Sequence, residues 1–363
     1  MLLIWTFGNS TTLLAQDIYP FHFGIFYPLS TQGTSSKNNT NSFSLHALTG
    51  VSGGETAWGI YGLAGMVHGN VSGLQTAGLY HHTKGTLQGF QISGLLNRAD
   101  TAAQGYQFAG LANLASGHTP VQIGGLFNRT TRITALQSAG IFNQARTAEG
   151  LQMAGLVNIS EEITGVQVAG LTNTARHVNG LQISGLFNKA KTVNGVQLAG
   201  LLNIADSSAY SIAIINLIKD GTRRLGVSID ENQSLMLSFR SGGRKLYGLI
   251  GFGTNLQFPE LAYGFESGLG GSLLQNRRIN LDMEVHNMYM TDFSGSRYHK
   301  TGIRLLPTLN LGRSVQLYGG PGLYFIQSDK RHPSGQMDFW SVEKRNIRQS
   351  LSLSYTIGLQ FFL

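Results

Sequence analysis

Cysteine is absent from the 363 residues. That excludes a disulfide framework, thiolate metal ligation and a cysteine nucleophile. Charge is scarce too, with Asp, Glu, Lys and Arg making up 12% of the chain. No run reaches the roughly 18 apolar residues that a membrane-spanning helix needs, so any passage through a bilayer must be made by strands. Acids are almost missing from the middle of the chain: between residues 70 and 205 they are Asp100, Glu149, Glu161 and Glu162. Paired carboxylates for acid–base work are therefore not expected there. A phosphate loop would need G-x-x-x-x-G-K-[ST] between a strand and a helix, which the many glycine spacings here do not supply.

Glycine is abundant, at 48 residues. With so few charges, this argues against helical bundles and for strands joined by tight turns. Residues 1–16, "MLLIWTFGNSTTLLAQ", have the apolar stretch and small-residue end of a secretory signal, without its basic start.

The dominant feature is a repeat. Gln75, Gln91, Gln107, Gln122, Gln137, Gln152, Gln167, Gln182 and Gln197 recur at spacings of 16, 16 and then 15 residues. Asn97, Asn113, Asn128, Asn143, Asn158, Asn173, Asn188 and Asn203 keep step. The unit reads V-x-G-φ-Q-φ-[AS]-G-L-x-N-x-A, with φ apolar. Within it residues alternate with period two, so each unit predicts two short strands and two corners. One unit cannot bury an apolar side alone, but stacked units can. The expectation is a β-solenoid of 15-residue coils over 51–208, capped by strands within 17–50. Asn158, Asn173, Asn188 and Asn203 should form a hydrogen-bonded ladder at an inner corner, since in-register stacking favours identical amides. Leu156, Leu171, Leu186 and Leu201 are expected as a core ladder, and Gln152, Gln167, Gln182 and Gln197 as an outward one. The residues before the asparagines, Leu96, Phe127, Phe142, Val157, Phe187 and Leu202, would then face out as an interface stripe toward another part of the chain, a second copy or lipid. If the bend is misplaced, they are core instead. The competing architecture is one larger porin-like barrel in which the repeats are themselves strands.

Residues 209–363 have a different character. Leu351, Leu353, Tyr355, Ile357, Leu359, Phe361 and Leu363 alternate with Ser350, Ser352, Ser354, Thr356, Gly358 and Gln360. This is the pattern of a strand crossing an outer membrane. Eight such strands, near 223–229, 233–240, 244–254, 259–272, 277–289, 300–311, 314–326 and 349–363, predict a small antiparallel barrel of outer-membrane type. Glu260, Glu266, Asp282, Glu284 and Arg304 are candidates for a charged interior, and Tyr318, Tyr324, Phe325, Trp340 and Tyr355 for interface aromatics. Asp282, Glu284 and His286 share a strand face that could bind a cation; His81 and His82 could supply half a metal site. The bland reading of each, a row inside a barrel and a solvated turn, carries more weight, and no metal or cofactor is expected.

"GLQISGLFNKAKTVNGVQLAGLLNIA" resembles the surface-repeat proteins of Bacteroidetes and spirochaetes, whose units read G-φ-Q-φ-A-G-φ-x-N; the segment after the repeats is also similar to Bacteroidetes members. The resemblance covers roughly residues 20–255. It implies an exported outer-membrane or cell-surface protein and carries over no catalytic residues. The net charge is +8, and seventeen of the 26 basic residues lie from Lys219 onward against eleven acids. Such an excess suits anionic lipid head groups. The basic stretches are mixed with acids and loop-like, so nucleic acid is not an expected partner. Together these readings predict a non-enzymatic repeat protein anchored by its barrel in outer-membrane lipid, with a display, adhesion or structural role. A protein or glycan partner is not identifiable from the residues.

Overall fold

The computed structural model describes residues 18–363 apart from 294–295, 313, 330–336 and 345–346. The expected signal segment, residues 1–16, lies outside the described residues. The chain divides into two compact units, one up to Ile141 and one over Phe142–Leu363.

The first unit is a parallel β-solenoid. One wall stacks Ile18–Phe26, Thr40–His46, Gly54–Tyr61, Leu74–Ala77, Phe90–Ser93 and Tyr106–Ala109, each paired parallel with the next. A second wall stacks Thr49–Ser52, Ala64–Val67, Tyr80–Leu87 and Leu96–Ala103. The long strands Ala112–Gly124 and Phe127–Ala139 continue both walls. Ile18–Phe26 already pairs in coil fashion, so the coils begin ahead of the recognisable repeat, within the segment expected as a cap.

The second unit carries coils of the same kind and a barrel. Phe142–Ala154 pairs with Val157–Ala169 over its full length, and the coils continue through His177–Ser184 and Thr192–Ala199 to Ser207–Ile212. Like residues stack on like: Gln152, Gln167, Gln182 and Gln197 are Cα partners in sequence. Gly165, Gly180 and Gly195 each have φ between 132° and 147°, where a side chain would be strained. At the corner, a Cβ on Gly185 would run into the Gly170 carbonyl oxygen of the neighbouring coil. The coils can thus close only on glycine at these positions.

Alternation holds as expected, but the inward set is different. Gln152, Gln167, Gln182 and Gln197 are buried, whereas Leu156, Leu171, Leu186 and Leu201 are about 40% exposed. Leu186 does stack on Leu171, its N–H donating to the Leu171 carbonyl at 3.1 Å, but on the outside of the coil. The interior is narrow. Ala, Val and Ile fill it between two rows of amides.

Barrel strands start at Thr222, because Ser207–Ile212 and Ile215–Ile218 still complete a coil. Eight strands follow: Thr222–Asp230, Ser234–Gly242, Leu246–Asn255, Tyr263–Gln275, Ile279–Thr291, Arg297–Asn310, Val315–Asp329 and Ile347–Phe362. Neighbours are antiparallel throughout, and Ile347–Phe362 closes the ring by pairing with Thr222–Asp230. Where the first strand ends, Glu231 accepts the Tyr355 N–H at 2.9 Å, and the short strand Met337–Lys344 pairs with the rest of the last strand. The larger-barrel alternative is excluded, since the repeats pair parallel and in register rather than as an antiparallel meander.

Candidate functional site: amide ladders, a filled barrel and an apolar exterior

The amide ladders come first, because they set which side chains are left outside. In the second unit the Asn143 amide donates to Asn158 Oδ1, Asn158 to Asn173, Asn173 to Asn188 and Asn188 to Asn203, at 3.0–3.1 Å. Each also donates to the backbone carbonyl of the following wall, as Asn173 does to Ile183 O at 2.6 Å. The glutamines run the other way: Gln197 donates to Gln182, Gln182 to Gln167 and Gln167 to Gln152, at 2.7–2.9 Å. The asparagine ladder ends at Asn216, which receives Asn203 at 3.0 Å and donates to the Ser241 carbonyl at 2.9 Å in the second barrel strand.

In the first unit the glutamine ladder ends on an acid. Gln137, Gln122, Gln107 and Gln91 each donate to the preceding glutamine, and Gln75 donates to Glu55 Oε2 at 2.8 Å. Glu55 also accepts from the Tyr61 hydroxyl and from Ser52. Burial pushes its carboxyl up, against the pull of these donors. Nearby His46 packs between His22 and Tyr61 and is pushed down to about 4 by burial and by His22. This cluster is sealed inside the coil, so it serves packing.

His81 takes the ladder position, fully buried against the Tyr61 ring. His82 points out and pairs with Asp100 at 3.0 Å. Adjacent strand residues face opposite sides, so the two histidines do not form half a metal site.

The barrel is polar inside and apolar outside. Glu284 accepts from Arg240 at 2.8 Å, Arg304 at 2.7 Å and Tyr247 at 2.9 Å. Glu266 lies 2.8 Å from His286 and accepts from Ser238, and Arg224 pairs with Asp282 at 2.8 Å. Lys300 bridges Asp230 and Glu231. The row Asp282, Glu284, His286 is thus taken up by arginines and a glutamate. Among the described residues no group of three such ligands could hold a metal ion. Glu260 falls on the turn Pro259–Leu261 and is not part of this network. Tyr318 and Tyr324 are also interior, each about 1% exposed beneath Arg240 and Lys300, and so are not interface aromatics; Phe325, Trp340 and Tyr355 do face out. Buried side chains fill the bore, as in the smallest barrels.

The outside carries Leu225, Val227, Leu237, Phe252, Phe265, Leu269, Val285, Ile303, Leu305, Leu323, Ile357 and Leu359, all well exposed. Water offers no reason to turn charges in and hydrocarbon side chains out. An apolar solvent does.

The coils repeat that inversion on part of their circumference. The stripe residues face outward: Phe187 is exposed, and Leu96, Phe127, Phe142, Val157 and Leu202 are half-buried by their own stacking. Beside them lie the corner leucines and the residues flanking each glutamine, such as Met153, Ile183 and Leu198. In the first unit the same rows are aromatic, with Phe21, Phe43 and Trp58 in contact along one row and Phe90 stacked on Tyr106 at 4.7 Å. Charges sit on the opposite corner, at Arg146, Glu161, Glu162, Arg176 and Lys191. Sequence reading missed the width of this apolar band, because it assigned the leucines to the core.

No family model matches the chain, and no curated protein matches it. Two solved structures are similar over 39% of the chain: a de novo designed transmembrane β-barrel, at 12% identity over 93% of that chain with a TM-score of 0.22, and Neisserial surface protein A, at 11% identity over 95% of that chain with a TM-score of 0.23.

Proposed function

We propose that the barrel is an outer-membrane anchor without enzymatic activity and that it holds the coils of residues 142–218 on the periplasmic side. The observation that carries the anchor is the inside-out barrel: buried ion pairs within an outward wall of Leu, Ile, Val and Phe. Its strands, of 9–16 residues, suit the length of a tilted bilayer crossing.

Connectivity supports the side. The coils lead straight into the start of the first strand, at the barrel end where the connections are residues 243–245, 276–278 and 311–314. The opposite end carries 231–233, 256–262, 292–296 and the long connection 330–346. In outer-membrane barrels the short turns are periplasmic and the longer loops extracellular. A display or adhesion role needs the opposite placement. It also loses one support, since the glutamines expected on a presented face are buried.

The chain has no cysteine, so single introduced thiols report cleanly. Asn194→Cys lies on the exposed corner of a coil and Gln257→Cys on the long-loop end of the barrel. In intact cells an impermeant maleimide should label Gln257→Cys, and Asn194→Cys only after the outer membrane is permeabilised. The reverse pattern would reinstate surface display.

A further inference from the structure

The apolar band of the coils does not stop at the barrel. Leu151, Val166, Leu181, Val196 and Tyr210 are successive Cα partners, and Tyr210 pairs parallel with Leu246, the first residue of the third barrel strand. Leu246 alternates with the buried Tyr247 and so belongs to the outward set that includes Phe252. One hydrogen-bonded sheet therefore carries an unbroken apolar row from coil wall to barrel wall. The junction is close: the Lys245 N–H donates to the Ala209 carbonyl at 2.9 Å, and the Asn216 N–H to Ser241 Oγ at 2.9 Å.

The position after each ladder asparagine is apolar in three of the five coils of this band, at Ile159, Ile204 and Leu217, and polar at Thr174 and Lys189. In the last coil every outward residue from Tyr210 to Leu217 on these walls, namely Tyr210, Ile212, Ile214, Ile215 and Leu217, is apolar. Basic side chains cluster where the band meets the short turns: Lys219, Arg223, Arg244, Lys245, Arg277 and Arg278 are all exposed, and they outnumber the two aspartates there, Asp206 paired with Lys219 and Asp220 with Arg244. A solenoid standing free in water gains nothing from an apolar band of this length, whereas contact with hydrocarbon under a layer of anionic head groups accounts for both the apolar band and the basic side chains at its end.

We propose that the apolar band of residues 151–217 rests on membrane phospholipid, as a sideways continuation of the barrel's lipid-facing wall. This rests on the reading of the barrel as a membrane anchor. The partner is committed by continuity: the same row that faces acyl chains on the third barrel strand runs onto the coils.

Single cysteines in the full chain, refolded into phosphatidylethanolamine–phosphatidylglycerol vesicles and labelled with bimane, test it. Lipids brominated along the acyl chain quench only labels that touch them. Ile183→Cys and Leu198→Cys should be quenched as strongly as Ile303→Cys on the barrel wall, and Asn194→Cys on the charged corner should not. Quenching at Ile303→Cys alone overturns the proposal while leaving the anchor intact. In that case a blue-shifted emission at Ile183→Cys that grows with protein-to-lipid ratio would identify a second copy as the occupant. No quenching at Ile303→Cys overturns the anchor itself.

Discussion

Asn188 offers the sharpest measure of what the amide ladder contributes. Its side chain is fully buried. It donates to Leu198 O at 2.8 Å, to Asn203 Oδ1 at 3.1 Å and, at 3.4 Å, to Gln182 O, and accepts from Asn173 at 3.0 Å. Asn188→Ala removes all four. Asn173 keeps a donor bond to Ile183 O at 2.6 Å, so the damage falls mainly on the two buried acceptors with the shorter bonds, Leu198 O and Asn203 Oδ1. At about 1–3 kcal/mol for each buried acceptor left without a donor, the loss is about 2–6 kcal/mol. Because coils touch only their neighbours, the effect should stay local. Hydrogen exchange on the full chain, followed by mass spectrometry, should show amides within 181–205 opening about a thousandfold more readily at the middle of that range, with the barrel strands unchanged. Asn194→Ala is the control. Its amide is bonded to Asn179 at 3.2 Å but is exposed, so its effect should stay within about 0.5 kcal/mol. If the two variants exchange alike, the ladder is an ornament of stacking and the reasoning fails.

Other expectations follow from the same geometry. His81 sits where the repeat has asparagine, and Asn97 Oδ1, buried in the next coil, has no donor; His81→Asn should supply one and raise the protection of the first unit by about 1 kcal/mol. Burial holds His81 down at about 4 against 6.5 for the free side chain, so the unfolded chain binds more protons between those values. His81 by itself should therefore lower the protection of these coils by about 3 kcal/mol as pH drops from 6.5 toward 4, a contribution that His81→Asn removes. Exchange measured across that range checks both. In the barrel, Glu284→Gln strands Arg240 and Arg304 in the bore and should cost about 3–5 kcal/mol in urea titrations followed by heat-modifiable gel mobility. Ile303→Arg, on the outer wall, should lower barrel stability in vesicles by about 2–4 kcal/mol; an unaltered titration would remove lipid from that wall.

Much of the fold was legible in the residues. The period fixed coils, and the strict identity of the asparagines announced a ladder. The alternation of Leu351–Leu363 with small polar residues announced the barrel wall and its outward side. The coil interior was misread because period two tells which residues share a face and not which face is inside. Assuming apolar-in put Leu171 and Leu186 in the core. Residue identity carried the correct answer: the glutamines never vary between Gln75 and Gln197, whereas their neighbours drift among Val, Leu, Ile, Met, Phe, Tyr, Thr and Ser. A side chain that must bond to its own copy cannot drift, but one facing an unstructured solvent can. The partnering of Arg240 and Glu284, far apart in sequence, left no local pattern to read.

The two amide ladders of residues 142–218 point in opposite directions, asparagines donating toward higher residue numbers and glutamines toward lower. Each is a chain of aligned group dipoles that polarise one another. Side by side and opposed, they cancel, where an α-helix accumulates charge at its ends. Adding another coil therefore lengthens the stack without building up a field at its tip, and no electrostatic limit is set on how many units such a chain can carry.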